Sequence, residues 1–453
     1  MNRSREIDVI HGPLLKNVWL FALPLMLSGM LQLLYNAADM IVVGSAVGNT
    51  ALAAVGSTGA MTNLIVNLFM GLSVGASVMV AQSYGAGHSQ DVSEVAHTSM
   101  LISVIGGVVV GVVGFVACRP LLLLMGTPEN VIGQAVLYVR IYFCGMPAIG
   151  VYNFGSAVLR AVGDTRRPML FLVISGLLNV ALNLVFVLVF HMGVAGVSLA
   201  TVISQVLAAF LAVRCLMRAD SSVHLYLREL RIYKDKLWRL VRIGLPAGIQ
   251  GSLFSISNMV IQSSINAFGD IVMAGNTAAS NLDGFAYVAL NSFSQAAITF
   301  TGQNIGAGRT DRVRRVLGAC TVSVLMTGVA VGAVLIVAGR PLLSLYGNDP
   351  RVIEAGMVRL LWIVTPYFLC GWMEMLVGML RGMGKSMLPM FVSLIGVCLL
   401  RVVWIYSVYP LLPELWMVYL SYPVTWSITT IAHLICYLIV YRNRMQQWRA
   451  AQT

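Results

Sequence analysis

Charge is scarce in this 453-residue sequence. Only 10% of its residues are Asp, Glu, Lys or Arg, against roughly a quarter in an average soluble domain. That is too little charge to coat a water-exposed surface, and it excludes an ordinary soluble globule. The seven cysteines, at 118, 144, 215, 320, 370, 398 and 436, form no CxxC pair. Neither a thiolate metal site nor a disulfide framework is expected from them. The six histidines, at 11, 88, 97, 191, 224 and 433, fall mostly at loops or helix ends. No Ser–His or His–Asp motif is read within the apolar runs, so an intramembrane enzyme, which needs a paired nucleophile and base, is not expected. The first 16 residues are polar and mixed in charge. They lack the order of a secretory signal, and no cleaved leader is expected.

What is abundant is apolar. Hydrophobic residues make up 58% of the chain, and the mean hydropathy is +0.84. A spanning helix needs about 20 mostly apolar residues, whereas barrel strands are about half that length and alternate in polarity. The runs here are long and rich in Leu, Val, Ile and Met. They predict twelve spanning helices, at 18–44, 51–80, 97–117, 136–159, 168–190, 193–213, 242–266, 273–302, 316–338, 358–380, 387–409 and 417–441. The net charge of +12 then reads as topology. One alternate set of loops and tails holds 23 of the 29 Lys and Arg residues, and the opposite set holds five. The positive-inside rule puts both termini in the cytoplasm. The basic excess suits attraction to anionic membrane lipid, and nucleic acid is not expected as a partner.

The chain repeats itself. "QSYGAG" at 82–87 returns as "QNIGAG" at 303–308, and "CRPLL" at 118–122 returns as "GRPLL" at 339–343. "AVLRAVGDTRRPM" at 157–169 returns as "GMLRGMGKSMLPM" at 378–390, and "ALP" at 22–24 matches "GLP" at 244–246. The first three pairs share one offset, that from 82 to 303, and the fourth differs from it by a single position. Six spans per half return the chain to its starting side, so the halves are parallel repeats with a site expected near mid-membrane. The expected domains are a cytoplasmic segment (1–17), an N-lobe (18–213), a basic linker (214–241), a C-lobe (242–441) and a cytoplasmic tail (442–453).

Polar residues inside spans are costly and mark function or pairing. Asp39 shares a helical face with Tyr35 and Asn36, and its repeat counterpart is Ile261. A structural need common to both lobes would appear twice, so this asymmetry favours an ion or proton role. Asn179 and Asn183 are i, i+4 on the fifth span, and Thr201 lies on the sixth. A carboxylate, two amide oxygens and a hydroxyl make a hard-oxygen set suited to a small cation; interhelical hydrogen bonding is the competing role for the amides. Glu374 on the tenth span and Asp283 on the eighth are candidate substrate or ion contacts, or buried polar groups. Arg401 is read as the only intramembrane cation, expected to neutralise Glu374 or Asp283, with snorkelling to the interface as the alternative. Pro24 and Pro246 are repeat-related, remove backbone hydrogen bonds and are hinge candidates.

"LPLMLSGMLQLLYNAADMIVVG" (23–44), "VGNTALAAVG" (47–56), the paired QxxGAG loops and the paired LRxxG loops together resemble the multidrug and toxic compound extrusion (MATE) transporters. The resemblance covers about 15–441, and the "LYNAAD" spelling is most similar to the bacterial multidrug branch. It implies an all-α membrane protein of two pseudo-symmetric six-helix bundles in the bacterial cytoplasmic membrane. It implies no enzyme and no cofactor, but export of organic cations or amphipathic drugs by a functional monomer, driven by inward Na⁺ or H⁺. The family's N-lobe cation site carries over onto Asp39, Asn179, Asn183 and Thr201. Some members have a second carboxylate where this chain has Asn183, which leaves Na⁺ against H⁺ open. A Glu that some members carry on the seventh helix is missing from "QGSLFSISN" (250–258). Lipid or lipid-linked oligosaccharide flippases of the same superfamily are the nearest alternative, and a passive channel is a third.

Overall fold

The computed structural model describes residues 7–219, 222–347 and 349–450. The start of the basic amino-terminal segment, with Arg3 and Arg5, and the end of the tail lie outside the described residues. Among the described residues there is helix and no strand. In the first half these are α1 (Leu14–Ala46), α2 (Asn49–Gly85), α3 (Ser89–Leu124), α4 (Glu129–Cys144), α5 (Met146–Ala161), α6 (Arg166–Leu184) and α7 (Gly193–Met217). In the second they are α8 (Lys234–Asn266), α9 (Asp270–Gly306), α10 (Thr310–Val337), α11 (Gly339–Ser344), α12 (Pro350–Arg359), α13 (Tyr367–Gly382), α14 (Met387–Ser393), α15 (Leu400–Ser407) and α16 (Leu415–Ala450).

All twelve predicted spans fall on helices. Eight helices are long and apolar enough to cross a bilayer individually. Two bent pairs, α4–α5 at 48° and α12–α13 at 45°, bring the number to ten. The remaining two, α8 and α9, are too polar for that test. α9 carries Asn276, Ser280, Asn281 and Asp283 in two turns, several of them at a cavity described below.

The repeat is visible in the backbone. Helices α2 and α9 both run 37 residues. Their first residues are separated by the offset of the QxxGAG loops, and so are those of α3 and α10, α5 and α13, and α6 and α14. The repeated loop glycines keep the same offset and the same left-handed backbone. Gly87 and Gly308 have φ of 71° and 68°, and Gly163 and Gly384 have 97° and 80°. A side chain is strained there, which accounts for glycine at both copies of each motif.

The chain folds into two compact units. One comprises Met1–Ile7 and Leu27–Ser252; the other comprises Asp8–Met26 and Leu253–Thr453. These differ from the sequence-based lobe limits at α1 and α8. The first turns of α1 belong to the second unit because its aromatics find partners there: Trp19 meets Phe293 edge-on at 5.3 Å, and Phe21 meets Phe300 at 5.6 Å. In the first unit, the first half of α8 lies directly on α2. A Cβ on Gly71 would stand 2.1 Å from the Gly248 nitrogen, so only glycine permits this approach. Pro24 and Pro246 both lie inside unbroken helices, near the points where the chain passes from one unit to the other.

The basic linker is fastened to α3 within the first unit. His97 is buried and accepts the Tyr226 backbone N–H on Nε2 at 3.0 Å, so its Nδ1 carries the proton donated to the Ser93 carbonyl at 2.7 Å. Lys236 pairs with Asp91 and lies 3.5 Å from Glu94. Burial disfavours its charge, but the hydrogen bond to Asp91 and the two carboxylates outweigh this and hold its pKa above the ordinary lysine value.

Candidate functional site

α1, α6 and α7 converge in the first unit on a cavity of about 60 Å³. α1 presents Gln32, Tyr35, Asn36 and Asp39, all within one helical stripe. α6 presents Ser175, Gly176 and Asn179, and α7 presents Thr201, Ser204 and Gln205. Their spacing of three, four or seven positions along each helix gathers them on facing sides.

The four residues singled out from the sequence form one hydrogen-bonded chain. The Thr201 hydroxyl donates to the Val197 carbonyl at 3.0 Å and accepts from Asn179 Nδ2 at 3.3 Å. Asn183 Nδ2 lies 3.3 Å from Asn179 Oδ1 and also donates to Asp39 Oδ1. Asn183 is 1% exposed, and its Oδ1 is buried with no partner. A buried amide oxygen without a donor is costly, and beside a carboxylate it is one ligand short of a cation. Asp39 Oδ2, Asn183 Oδ1, Asn179 Oδ1 and the Thr201 hydroxyl are hard oxygens of the kind that Na⁺ takes.

Apolar packing holds the cluster on two sides. Val43, Ala51, Val187, Val194 and Val197 form a buried group one turn beyond Asp39, backed by Tyr138. Tyr152, Leu172, Ala208, Ala209 and Ala212 form another beside Ser175 and Ser204. The Tyr35 ring lies against α6, where a Cβ on Gly176 would be 1.8 Å from its Cε2. Gln32, Ser175, Ser204 and Gln205 were absent from the sequence-based set. The signal for them was present: each lies three, four or seven positions from a residue already chosen.

A larger cavity, about 360 Å³, lies in the second unit. Asp283, Glu374 and Arg401 all line it, with Tyr287, Tyr367, Tyr422 and Trp426. Among the described residues, the expected pairing of Arg401 with a carboxylate is not found. Arg359 takes Asp283 instead, with Nη2 and Nε at 2.7 and 3.1 Å from Oδ2. Arg359 Nη1 also donates to Asn276 Oδ1 at 2.8 Å, which accepts the Tyr419 hydroxyl at 3.1 Å. Arg401 is therefore not the only intramembrane cation. The sequence placed Arg359 at the outer edge of its span, whereas the bend between α12 and α13 puts it in the cavity wall. Among the described residues, Glu374 makes no side-chain hydrogen bond or ion pair, while its backbone carbonyl accepts the Ser294 hydroxyl at 2.8 Å.

Comparison with known proteins places these features in a family. The MatE family model matches residues 24–185 and again 246–407. The two matches are set apart by the same spacing as "ALP" and "GLP". The probable multidrug resistance protein YoeA of Bacillus subtilis is 28% identical, over 98% of each chain. The probable multidrug resistance protein YpnP of the same organism is 27% identical, over 88% of this chain and 89% of that one. A crystal structure of MATE in complex with MaL6 superposes with a TM-score of 0.90 at 23% identity, over 99% of this chain and all of that one.

Proposed function

This chain belongs to the MatE family, and from that premise we propose that it is a secondary active antiporter that exports cationic or amphipathic organic compounds from the bacterial cytoplasm. It is a multi-pass membrane protein, and the proposed orientation has both termini in the cytoplasm. The names of YoeA and YpnP, each a probable multidrug resistance protein, support drugs as the cargo. The single observation that carries the coupling is the Asp39–Asn183–Asn179–Thr201 chain at a small cavity, with an orphaned amide oxygen beside the carboxylate.

In this reading, inward-moving Na⁺ or H⁺ is taken up by Asp39, assisted by Asn179, Asn183 and Thr201, with Tyr35 and Asn36 beside them. Occupation by the ion exchanges the Asn183 and Asp39 hydrogen bond for ion contacts. That repacks α1 on α6, and the exported compound is released. Alternating access between the two units follows, with Pro24 and Pro246 as the flexing points of the helices shared by both. No resident cofactor takes part, and a single chain suffices. Asp283, Glu374 and Arg401 serve as contacts for cargo in the second unit.

The test is Asp39→Asn in a drug-hypersensitive bacterium at matched expression. The substitution keeps size and polarity and removes the charge. Loss of resistance is expected, and full retained resistance sinks the coupling role.

A further inference from the structure

The second unit builds its cavity where the first builds its carboxylate site, with the sign of the charge reversed. In the repeat, Ile261, Arg401 and Tyr422 take the places of Asp39, Asn179 and Thr201. The starts of α6 and α14, taken alone, would pair Asn179 with Leu400. The π-helical turn Leu394–Leu399 intervenes. Such a turn is longer than an α turn by one position, and it brings Arg401 into the register of Asn179. The contacts agree: Asn179 touches Thr201, and Arg401 lies 4.1 Å over the Tyr422 ring.

Arg401 is 2% exposed and lines the cavity. A guanidinium carries five N–H donors and a fixed charge. Here Nη1 reaches Asn258 Oδ1 at 3.4 Å and Nη2 reaches Thr425 Oγ1 at 3.5 Å, both neutral and long. Nε is buried with no partner, and no carboxylate pairs with Arg401 among the described residues. Asp283, the acid that α9 contributes to the cavity, is already committed to Arg359. A buried cation without a counter-ion is expensive to keep. It repays that cost when an anion arrives, because the anion meets a dry, preoriented fork.

We propose that the second-unit cavity is an anion-accepting subsite: Arg401 takes the carboxylate or phosphate group of a zwitterionic amphipathic ligand, the flat apolar body lies among Tyr367, Tyr422 and Trp426, and the cationic group meets Glu374. A volume of about 360 Å³ suits part or all of a drug-sized molecule. This rests on the export reading and narrows its cargo. The charge pattern of the cavity favours compounds carrying both signs over simple organic cations.

The probe is rhodamine B, which carries a carboxylate beside its cationic ring system, against its methyl ester, which lacks only the anion. Binding is read by fluorescence anisotropy on the full chain in dodecyl maltoside micelles, which carry no phosphate, without any ion gradient. Wild type is expected to prefer rhodamine B by about tenfold or more, from the usual strength of a charge-assisted hydrogen bond. Arg401→Gln brings rhodamine B down to the level of its ester, Arg401→Lys keeps the preference, and Glu374→Gln weakens both dyes alike. Equal wild-type affinity for the two dyes overturns the proposal without recourse to any variant, as does an Arg401→Gln that weakens both equally. Adding phosphatidylglycerol distinguishes the sources of the anion. Competition in wild type that is lost in Arg401→Gln assigns it to a lipid phosphate, and no competition assigns it to the soluble compound. Dye preference without gradient-driven export would sink the antiporter reading alone, and export without dye preference would sink this proposal alone.

Discussion

Replacing Asp283 by leucine removes the counter-ion of Arg359 and leaves a guanidinium in a nearly closed wall. Both partners are more than nine-tenths buried, and two nitrogens of Arg359 lie within 3.1 Å of Asp283 Oδ2. Breaking such a pair from one side costs about 3–5 kcal/mol, because the surviving charge keeps its desolvation penalty. On the second unit that corresponds to a drop in melting temperature of roughly 6–20 °C. Arg359→Leu is expected to cost a similar amount, since it strands the Asp283 carboxylate. The double variant removes both charges. Asn276 Oδ1 then still accepts the Tyr419 hydroxyl at 3.1 Å, so no new buried acceptor is orphaned. Stability is expected to return to within about 1–2 kcal/mol of wild type. The assay is thermal unfolding of the four proteins in nanodiscs, combined as a double-mutant cycle. Single-variant losses that simply add in the double variant would refute the assignment of this pair as mutual neutralisation.

Other outcomes follow from the same geometry. Asn183→Ala deletes the Asp39 partner and is expected to weaken gradient-driven transport on the order of tenfold, the worth of one charge-assisted hydrogen bond; initial rates in proteoliposomes check it. Gly176→Ala drives a Cβ to 1.8 Å from the Tyr35 ring, with an expected overpacking cost of about 1–3 kcal/mol visible as a lower melting temperature. Asp349 caps α12, and its hydrogen bonds from the Arg351 side chain and backbone hold its carboxyl below the ordinary pKa. Its contribution is therefore present above the unfolded carboxyl value, near pH ~4, and lost as pH falls through the depressed value. Asp349→Ala should raise amide exchange at Arg351 and Val352 several-fold at pH 7, and by less as the pH falls through that range.

The repeat and the twelve helical segments were legible in the sequence for one physical reason, while the grouping of Asp39 with Asn179, Asn183 and Thr201 came from the family resemblance. Apolar run length, glycines forced into left-handed turns and polar residues at helical spacing are local signals, and the internal repeat doubles most of them. The pairing of Arg359 with Asp283 and the lack of an acid partner for Arg401 among the described residues were not legible. Which acid faces which base depends on the bend between α12 and α13 and on the π turn before Arg401, and neither leaves a mark in hydropathy. The membership of the first turns of α1 in the second unit was hidden for the same reason. It rests on Trp19 and Phe21 meeting Phe293 and Phe300, contacts between opposite halves of the sequence.

The central claim is that Asp39 couples ion entry to export. Its most direct test is uphill transport of a fluorescent cation in proteoliposomes, with Na⁺ and H⁺ gradients imposed separately, for wild type and Asp39→Asn at matched reconstitution. Wild type is expected to concentrate the cation under at least one of the gradients. Asp39→Asn is expected to bind the cation yet fail to concentrate it under either gradient. Undiminished uphill transport by Asp39→Asn would contradict the account.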